Sequence, residues 1–296
     1  MVSVRGLEIF ARERGEGYPL LLINGIGANV DMLDATETVL ARRSRTIAFD
    51  APGTGRSSTP IFPLSIVSVA RVARDLLDEL GHAQADVLGF SHGGLVAQEL
   101  ARIAPERVRR LALVSTACGW GSRLGDPAAL SALATPLRYY SRSVSASTSR
   151  LYGGRDSVVD ASLRGARVGS PPSLLGYAYQ LLAAATWSSL PWLATLQQPT
   201  LVITGGDDRV ILPANGVQLA RLIKNSRLHH LPGEGHLALF DPASGAQPLL
   251  ADFFSAPDLA TATSWESGLQ YGNDGDALEP PPSFFTGNRV DTCDRL

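Results

Sequence analysis

Residues 86–97 read DVLGFSHGGLVA, an apolar run that ends in a serine, Ser91, between two glycines. A segment with helical spacing follows at 94–104. A serine at the point where a strand passes into a helix sits on a sharp, strained turn, and the residues around it must be small. The helix N-terminus then directs positive backbone amides at the serine oxygen. The stretch predicts an exposed nucleophilic serine, and an ordinary N-cap serine in a strand–helix turn is the alternative.

Short apolar runs alternate with longer segments on both sides of this turn. The strand candidates are residues 20–23, 46–49, 85–88, 111–114, 200–204 and 227–231. Between the second and the third lies segment 65–80, whose apolar residues recur at helical spacing, and Gly81 is placed to end that helix. Strands that are separated by helices pair in parallel. The order predicts an α/β fold with a doubly wound, mostly parallel sheet, to which residues 2–17 can add an antiparallel hairpin at one edge.

The alternation of strands and helices stops in two regions. Residues 119–196 are rich in Ala, Ser, Leu and Arg and show no strand pattern, so we expect a helical cap inserted between two parts of the core, 1–118 and 197–255. From residue 256 onward the chain has three consecutive prolines, many small residues, and seven acidic residues against two arginines. This composition predicts a disordered acidic tail over 256–296.

A serine nucleophile needs a base, and the chain has five histidines. His236 ends the loop GEGH (233–236), just past the last strand, where the active-site groups of parallel sheets collect. His92 adjoins Ser91, but neighbours at such a turn point in different directions. The others fall at a helix end or within a strand: His82, His229 and His230. His236 is therefore the predicted base.

The base needs a carboxylate that holds its tautomer and stabilises the imidazolium. The strand at 200–204 runs into GGDDR (205–209), which offers two acids at a strand end. Asp208 is the predicted partner. Asp207 is the second choice, because Asp side chains in such a turn also stabilise the turn itself.

Two backbone amides are needed to stabilise negative charge on a reacting carbonyl oxygen. One belongs to His92, the residue after the serine. The second is predicted in the loop NGIG (24–27), which follows the first central strand, and we assign it to Ile26. This loop lacks the G-x-G-x-x-G and Walker patterns of phosphate-binding loops. The loop DAPGTGRS (50–57) is expected to shape the rim beside Ser91.

Composition and charge exclude several other classes of protein. A net charge of −2 argues against nucleic-acid binding, and two cysteines form no disulfide framework and suit a reducing compartment. The N-terminus is charged and lacks the apolar core of a secretory signal. Residues 174–196 carry no charge, but polar residues and Pro191 interrupt them, so we expect no transmembrane segment. No cluster of His, Cys and acids has the spacing of metal ligands.

These motifs together resemble the α/β-hydrolase superfamily over residues 2–255, including its chain order of serine, acid and histidine. Other stretches are similar to intracellular medium-chain-length poly(3-hydroxyalkanoate) depolymerases: LLINGIGAN (21–29), IAFDAPGTGRSSTP (47–60), LYGG (151–154), GYAYQLLAA (176–184), WSSLPWL (187–193), QPTLVITGGDDRVI (198–211) and GEGHLALF (233–240). Three of these stretches lie in the predicted cap. One departure is His92, which stands where the resembled depolymerases usually have a tryptophan.

The resemblance implies a serine carboxylic-ester hydrolase that works through an acyl-enzyme on medium-chain aliphatic polyester in cytoplasmic granules. It assigns Ser91, Asp208 and His236 to the triad, needs no metal or organic cofactor, and makes the granule surface a possible partner. We expect substrate contacts from Asn24 and from an uncharged apolar wall of the cap. The cap residues concerned are Leu174, Tyr177, Tyr179, Leu181, Leu182, Trp187 and Trp192. The alternative, which we expect to hold for most of them, is that they pack the helices of the cap against one another.

Two alternatives remain open at this point. The same triad serves small-molecule esterases, lipases and carbon–carbon bond hydrolases, and a comparison of polyester with soluble short-chain esters separates these activities. The other alternative is a non-catalytic ligand-binding or granule-associated protein of the same fold. An inert Ser91 toward a fluorophosphonate probe would favour it.

Overall fold

The computed structural model describes residues 1–154, 161–271 and 277–278. In this part of the chain the strands are β1 (Val2–Val4), β2 (Leu7–Ile9), β3 (Ala11–Arg14), β4 (Tyr18–Ile23), β5 (Ser44–Phe49), β6 (Ala85–Phe90), β7 (Val108–Val114), β8 (Thr200–Gly205), β9 (Ser226–Leu231), β10 (Gln270–Tyr271) and β11 (Ala277–Leu278). The α-helices are α1 (Asp34–Leu40), α2 (Ile66–Glu79), α3 (His92–Ile103), α4 (Pro127–Leu133), α5 (Leu137–Tyr140), α6 (Arg142–Ser149), α7 (Ala161–Gly169), α8 (Leu174–Ala185), α9 (Pro213–Leu222), α10 (Ala246–Ser255) and α11 (Thr263–Glu266).

A seven-stranded sheet in the order β3-β5-β4-β6-β7-β8-β9 forms the centre of the molecule. Its last six strands are mutually parallel, and β3 runs antiparallel to β5. Every predicted strand lies inside one of these six, which confirms the doubly wound α/β fold. All residues of β6 and β8 are buried, as expected for strands that are covered on both faces.

The two faces of the sheet contact different helices. Along β4, Leu21 and Ile23 join an apolar cluster with α2 and α3. Leu20 and Leu22 point the other way, into a cluster with α10. The alternation of side chains along a strand therefore divides one apolar run between two cores.

Helix α2 lies where its sequence period predicts. The Ser65 hydroxyl accepts a hydrogen bond of 3.2 Å from the Ser68 amide and caps its N-terminus. Gly81 follows the helix with a φ of +78°, the left-handed conformation of a C-terminal glycine.

The N-terminal hairpin forms, but it does not lie where it was expected. Strands β1 and β2 pair with each other as a separate two-stranded sheet, with Val2 opposite Ile9. The edge of the main sheet is occupied by β3, which pairs with β5 from Ala11 to Arg14.

Five α-helices of the described residues, α4 to α8, lie between β7 and β8, and we call residues 119–196 the cap. The cap contacts the loops at the carboxyl ends of the strands. The Ser173 amide donates to the Gly53 carbonyl at 3.0 Å, and the backbones of Gly53 and Gly176 touch, leaving no room for a Cβ on either. None of the helices in the described ranges is long and apolar enough to cross a membrane.

The predicted disordered tail is ordered at its start, so that prediction is wrong for residues 256–271. Helix α11 packs on α10, and the Trp265 ring stacks on Phe253 with centroids 5.8 Å apart. The Leu269 amide and carbonyl both bond to Leu228 of β9. These contacts bury enough apolar surface to order residues 256–271, although the composition of the segment is polar. The rest of the predicted tail, apart from β11, lies outside the described residues.

Candidate active site

Ser91 occupies a strained turn between β6 and α3. Its φ of +52° and ψ of −119° lie in a region that residues other than glycine rarely adopt. The neighbouring strand holds the turn in place, because the Ser91 amide donates to Val114 at 3.0 Å and its carbonyl accepts from the Thr116 hydroxyl at 2.7 Å. A strained residue that its surroundings fix so firmly is typical of a functional position.

The positions of Gly89 and Gly93 beside Ser91 require glycine, because any side chain there would clash with neighbouring atoms. A Cβ on Gly93 would lie 2.1 Å from the Ile23 carbonyl oxygen, which is backbone and cannot move aside. A Cβ on Gly89 would lie 2.6 Å from the Cβ of Ala97 in α3. The turn is thus possible only where strand and helix backbones approach without side chains between them.

Three polar side chains from three strand ends form one hydrogen-bonded line. The His236 Nε2 atom lies 3.1 Å from Ser91 Oγ, and His236 Nδ1 lies 2.9 Å from Asp208 Oδ2. An ionised carboxylate can only accept, so Nδ1–H donates to Asp208 and the lone pair of Nε2 faces the serine hydroxyl. The arrangement can remove a proton from Ser91.

The loops around His236 and Asp208 hold both side chains in position. Asp208 Oδ1 accepts from the amides of Val210 and Ile211 at 2.8 Å each, so its carboxylate cannot turn. The ring of His236 packs against Phe90 and Tyr152, with centroids 5.3 and 6.1 Å away. Asp208 is 2% exposed and His236 4%.

The other candidate acids and bases lie elsewhere. The Asp207 side chain is exposed, and the residue is used through its backbone amide, which donates to Glu234 at 2.8 Å. His82 contacts Glu13, and His229 contacts the Ser264 carbonyl at 2.6 Å, where burial lowers the pKa of the ring. His230 is exposed.

The two predicted amide donors flank Ser91. His92 is the first residue of α3, and Ile26 lines the same cavity as Ser91 and His236. Neither amide donates to another residue of the described ranges. The amides on either side of Ile26 are both used, since Gly25 donates to Asn24 Oδ1 and Gly27 to Gln180 Oε1, each at 2.8 Å. These two bonds hold the loop in place, and they leave the Ile26 amide free to donate to a substrate.

Asn24 shapes this loop and does not line the cavity, contrary to the expected substrate contact. Its side-chain amide donates to the Asn29 carbonyl at 2.9 Å while its oxygen accepts from Gly25. Asp50 has a similar role in the rim loop, because its carboxylate accepts from the amides of Val30 and Arg56 at 2.6 and 2.8 Å. Burial raises the pKa of Asp50.

A small cavity opens at Ser91 and reaches into the cap. Most of its lining is apolar or aromatic. The exceptions are Ser91, His236 and two arginines. The lining residues are Gly25, Ile26, Ala28, Met32, Phe90, Ser91, Leu133, Arg138, Tyr139, Tyr152, Arg167, His236, Leu237 and Phe240.

The expected uncharged wall of the cap is therefore wrong, and none of the cap residues proposed for it lines the cavity. Leu174 is 67% exposed and Leu182 51%, because α8 turns these residues to the surface. Tyr179 lies on the same helix, and its hydroxyl donates to the Ile61 carbonyl at 3.1 Å. Leu181 is half-buried against the apolar cluster that also contains Tyr139 and Phe240 of the cavity lining.

Three aromatic residues of the cap are structural for related reasons. Tyr177 is buried behind Tyr139, and its hydroxyl donates to the Leu133 carbonyl at 2.6 Å. Trp187 and Trp192 join the cluster around α2 and α3 on the far side of the sheet. The Trp187 indole donates to Glu99 Oε2 of α3 at 2.9 Å.

Sequence reasoning missed the cap residues that do line the cavity. The motif LYGG (151–154) could have pointed to Tyr152, because its two glycines contact the loops that carry Asp208 and His236. A Cβ on Gly153 would lie 1.7 Å from the Asp207 carbonyl oxygen, and one on Gly154 2.2 Å from the Gly235 nitrogen. Arg138 and Arg167 gave no signal, since an arginine in a helical segment usually indicates an exposed face.

The side chain of His92 does not enter the cavity. It is buried between α3 and α8, where the ring contacts the backbone of Gln180, and burial lowers its pKa to about 4. This departure from the usual tryptophan therefore does not change the lining of the cavity directly. Within the described ranges, no three His, Cys, Asp or Glu side chains come together as metal ligands do.

A parallel sheet with a nucleophile turn after its central strand, and with an acid and a histidine on later strand ends, defines the class of α/β hydrolases. The family model for the alpha/beta hydrolase fold matches residues 18–243, and the chain belongs to this family.

Individual relatives differ in what they act on. The chain is 38% identical over 239 residues to a poly(3-hydroxyalkanoate) depolymerase of Ectopseudomonas oleovorans, covering 79% of this chain and 83% of that protein. It is 28% identical over 270 residues to a 2-hydroxy-6-oxo-2,4-heptadienoate hydrolase of Pseudomonas putida, covering 87% and 96%.

Solved structures give the same fold over most of the chain. A meta-cleavage product hydrolase of Pseudomonas fluorescens superposes with a TM-score of 0.75 at 25% identity, covering 86% of this chain and 96% of that one. An enol-lactonase of Burkholderia xenovorans superposes with a TM-score of 0.73 at 28% identity, covering 86% and 99%.

Proposed function

We propose that this hydrolase cleaves carboxylic esters through Ser91, and that its substrate is a medium-chain poly(3-hydroxyalkanoate). The observation that carries the proposal is the line from Ser91 Oγ through His236 to Asp208, with distances of 3.1 and 2.9 Å. The 38% identity to a depolymerase supports the polyester. Such a substrate would place the protein in the cytoplasm, at the granule surface.

The mechanism follows from the direction of the hydrogen bonds. His236 accepts the proton of Ser91, whose oxygen attacks the ester carbonyl, and Asp208 stabilises the imidazolium. Negative charge on the carbonyl oxygen meets the amides of Ile26 and His92. The imidazolium then protonates the leaving alcohol, and water releases the acid from the acyl-enzyme.

The lining of the cavity supports an aliphatic acyl group. Met32, Leu133, Leu237 and Phe240 present apolar surface beside Ser91. Such a wall binds alkyl chains and removes water from the ester, which strengthens every electrostatic interaction at the reacting carbon.

The proposal is tested with purified protein on medium-chain and short-chain polyester granules, with released 3-hydroxy acids as the readout. We expect release from the medium-chain granules, and we expect Ser91→Ala to lower it about 10⁴-fold or more without a change in melting temperature. Ser147→Ala, on an exposed turn of α6, is the matched control and retains full activity. Activity that survives in Ser91→Ala contradicts the mechanism.

A carbon–carbon bond hydrolase is the second candidate, favoured by the relatives that act on dienoates and meta-cleavage products. The same purified protein is assayed on a 2-hydroxy-6-oxo-dienoate, whose disappearance is followed by absorbance. A kcat/KM on the dienoate well above that on any ester would replace the polyester in the proposal while leaving the role of Ser91 unchanged.

A further inference from the structure

Two arginines of the cap are buried in the wall of the catalytic cavity. Arg138 on α5 and Arg167 on α7 are each 2% exposed, and both line the cavity together with Ser91 and His236. Arginine is almost never buried so completely unless it is paired with an anion, because removing a charge from water costs several kcal/mol.

The partners of these two side chains are neutral. Arg138 Nη1 donates to the carbonyls of Ala132 and Thr135 at 3.3 and 3.0 Å, and its guanidinium lies 4.6 Å from the centroid of the Tyr139 ring. Arg167 Nη1 donates to the hydroxyls of Ser145 and Ser149 at 3.1 and 3.2 Å. The Nε atom of Arg167 is buried and makes no hydrogen bond within the described ranges.

The described residues also supply no carboxylate that balances the charge of the pair. Of the carboxylates that the structure describes, none forms an ion pair with either arginine. Burial lowers the pKa of Arg167, whereas the neighbouring tyrosines raise the pKa of Arg138 despite its burial. Both guanidinium groups therefore line the cavity beside Ser91 without an anion among the described residues.

We propose that Arg138 and Arg167 bind a carboxylate of the substrate, so that the enzyme acts on esters that carry a free acid. This inference rests on the proposed ester hydrolysis and names its substrate class. In a chain of 3-hydroxy acid units the only free carboxylate is on the terminal unit, whose hydroxyl forms the last ester bond. The site therefore selects that bond and removes units from the acid end of the chain.

The reaction balances without any further reactant. Ser91 Oγ forms a bond to the carbonyl carbon of the penultimate unit, and the bond from that carbon to the oxygen of the terminal unit breaks. The proton that His236 took from Ser91 goes to this oxygen, and the terminal 3-hydroxy acid leaves with its carboxylate unchanged. One water then hydrolyses the acyl-enzyme, which releases the shortened chain and the Ser91 hydroxyl.

The arginines fit a carboxylate better than other ligands. A guanidinium presents parallel N–H groups that match two carboxylate oxygens, and such charge-assisted bonds are about twice as strong as neutral ones. The Arg167 Nε–H has no acceptor among the described residues and would gain one. The apolar residues of the lining, such as Leu133 and Met32, would contact the alkyl branch of the bound unit.

The test compares a dimer of 3-hydroxyoctanoic acid as the free acid with the same dimer as its methyl ester. We expect wild-type kcat/KM to favour the free acid by about 10- to 100-fold, the value of one or two hydrogen bonds to a charged group. Arg167→Met should bring this ratio close to one, and Arg138→Met should lower it. Arg142→Met, which removes an exposed arginine of the same segment, keeps the wild-type ratio.

A binding measurement separates this inference from the proposed function. In Ser91→Ala, calorimetry should detect 3-hydroxyoctanoate but not its methyl ester, and the double variant Ser91→Ala/Arg167→Met should lose at least tenfold in affinity. Equal hydrolysis of both dimers, or an unchanged ratio in Arg167→Met, overturns the carboxylate site and leaves the esterase standing. Hydrolysis of neither dimer, with carboxylate binding intact, overturns the polyester and leaves the site standing.

Discussion

Two buried carboxylates of the core and two buried arginines of the cap differ in the partners that they have. In the core, Asp86 of β6 accepts from Nε and Nη2 of Arg109 at 2.8 and 2.6 Å, and the buried Glu37 carboxylate is bonded to Arg12. In the cap, Arg138 and Arg167 are buried among hydroxyls, carbonyls and aromatic rings. A buried ion pair satisfies itself, whereas an unpaired buried cation costs stability until an anion arrives. We therefore assign the paired carboxylates of Asp86 and Glu37 to folding, and the two cap arginines to substrate binding.

A crowded glycine of the core, Gly93, gives the largest expected effect. In Gly93→Ala the new Cβ would meet backbone oxygens of Ile23 and Asn24 at 2.1 and 2.6 Å, so we expect a loss of at least about 3 kcal/mol in unfolding free energy. Urea unfolding followed by circular dichroism measures it. A loss below 1 kcal/mol would contradict the close packing of β4 against α3.

The matched control for this prediction lies in the cap. A Cβ on Gly165, inside α7, has no atom within 4 Å. Gly165→Ala should leave the unfolding free energy unchanged or raise it by up to about 1 kcal/mol, because alanine favours the helix.

The core of this protein could be predicted from its sequence, whereas the residues that line the cavity from the cap could not. The strands, the turn at Ser91, and the meeting of Asp208 and His236 followed from local patterns, because parallel strands bring their carboxyl ends to one edge of the sheet. Apolar residues such as Trp187 were misplaced, since an apolar residue packs equally well on the core or around a ligand. The burial of Arg167 could not be read from the sequence, because it depends on how α6 and α7 meet.

Substitutions of arginine by methionine in the core and in the cap give the second largest expected change in unfolding free energy. Arg109→Met leaves the Asp86 carboxylate buried without its partner, and we expect a loss of about 3 kcal/mol in unfolding free energy at pH 7. Arg167→Met removes a charge that has no partner among the described residues, so it should be neutral or stabilising. Equal losses in the two variants, measured by urea unfolding, would remove the distinction between core and cap.

The loss in Arg109→Met should depend on pH in one direction. Burial raises the pKa of Asp86 above its unfolded value, and removal of Arg109 raises it further. The folded state then takes up the proton more readily than the unfolded one, so the penalty is present at neutral pH and shrinks as the pH falls through the folded pKa. A penalty that is constant down to pH 5 would show that the lost contact between Arg109 and the Tyr18 ring, 3.6 Å from its centroid, is the cause instead.

The smallest effect concerns His92, where the core meets the cap. Burial lowers its pKa to about 4 from an unfolded value near 6.5, so the unfolded chain binds a proton between these limits while the folded chain does not. The unfolding free energy should therefore fall by about 2 kcal/mol between pH 7 and pH 5 on account of this residue. His92→Gln keeps a neutral polar side chain against the Gln180 backbone. Its unfolding free energy should therefore fall by about 2 kcal/mol less than that of the wild type between pH 7 and pH 5.

His229, whose pKa is also lowered, titrates in both proteins, so its contribution cancels in the difference between them. Parallel pH profiles for the two proteins would mean that His92 is protonated in the folded state, and α8 would then move away from α3 at mildly acidic pH.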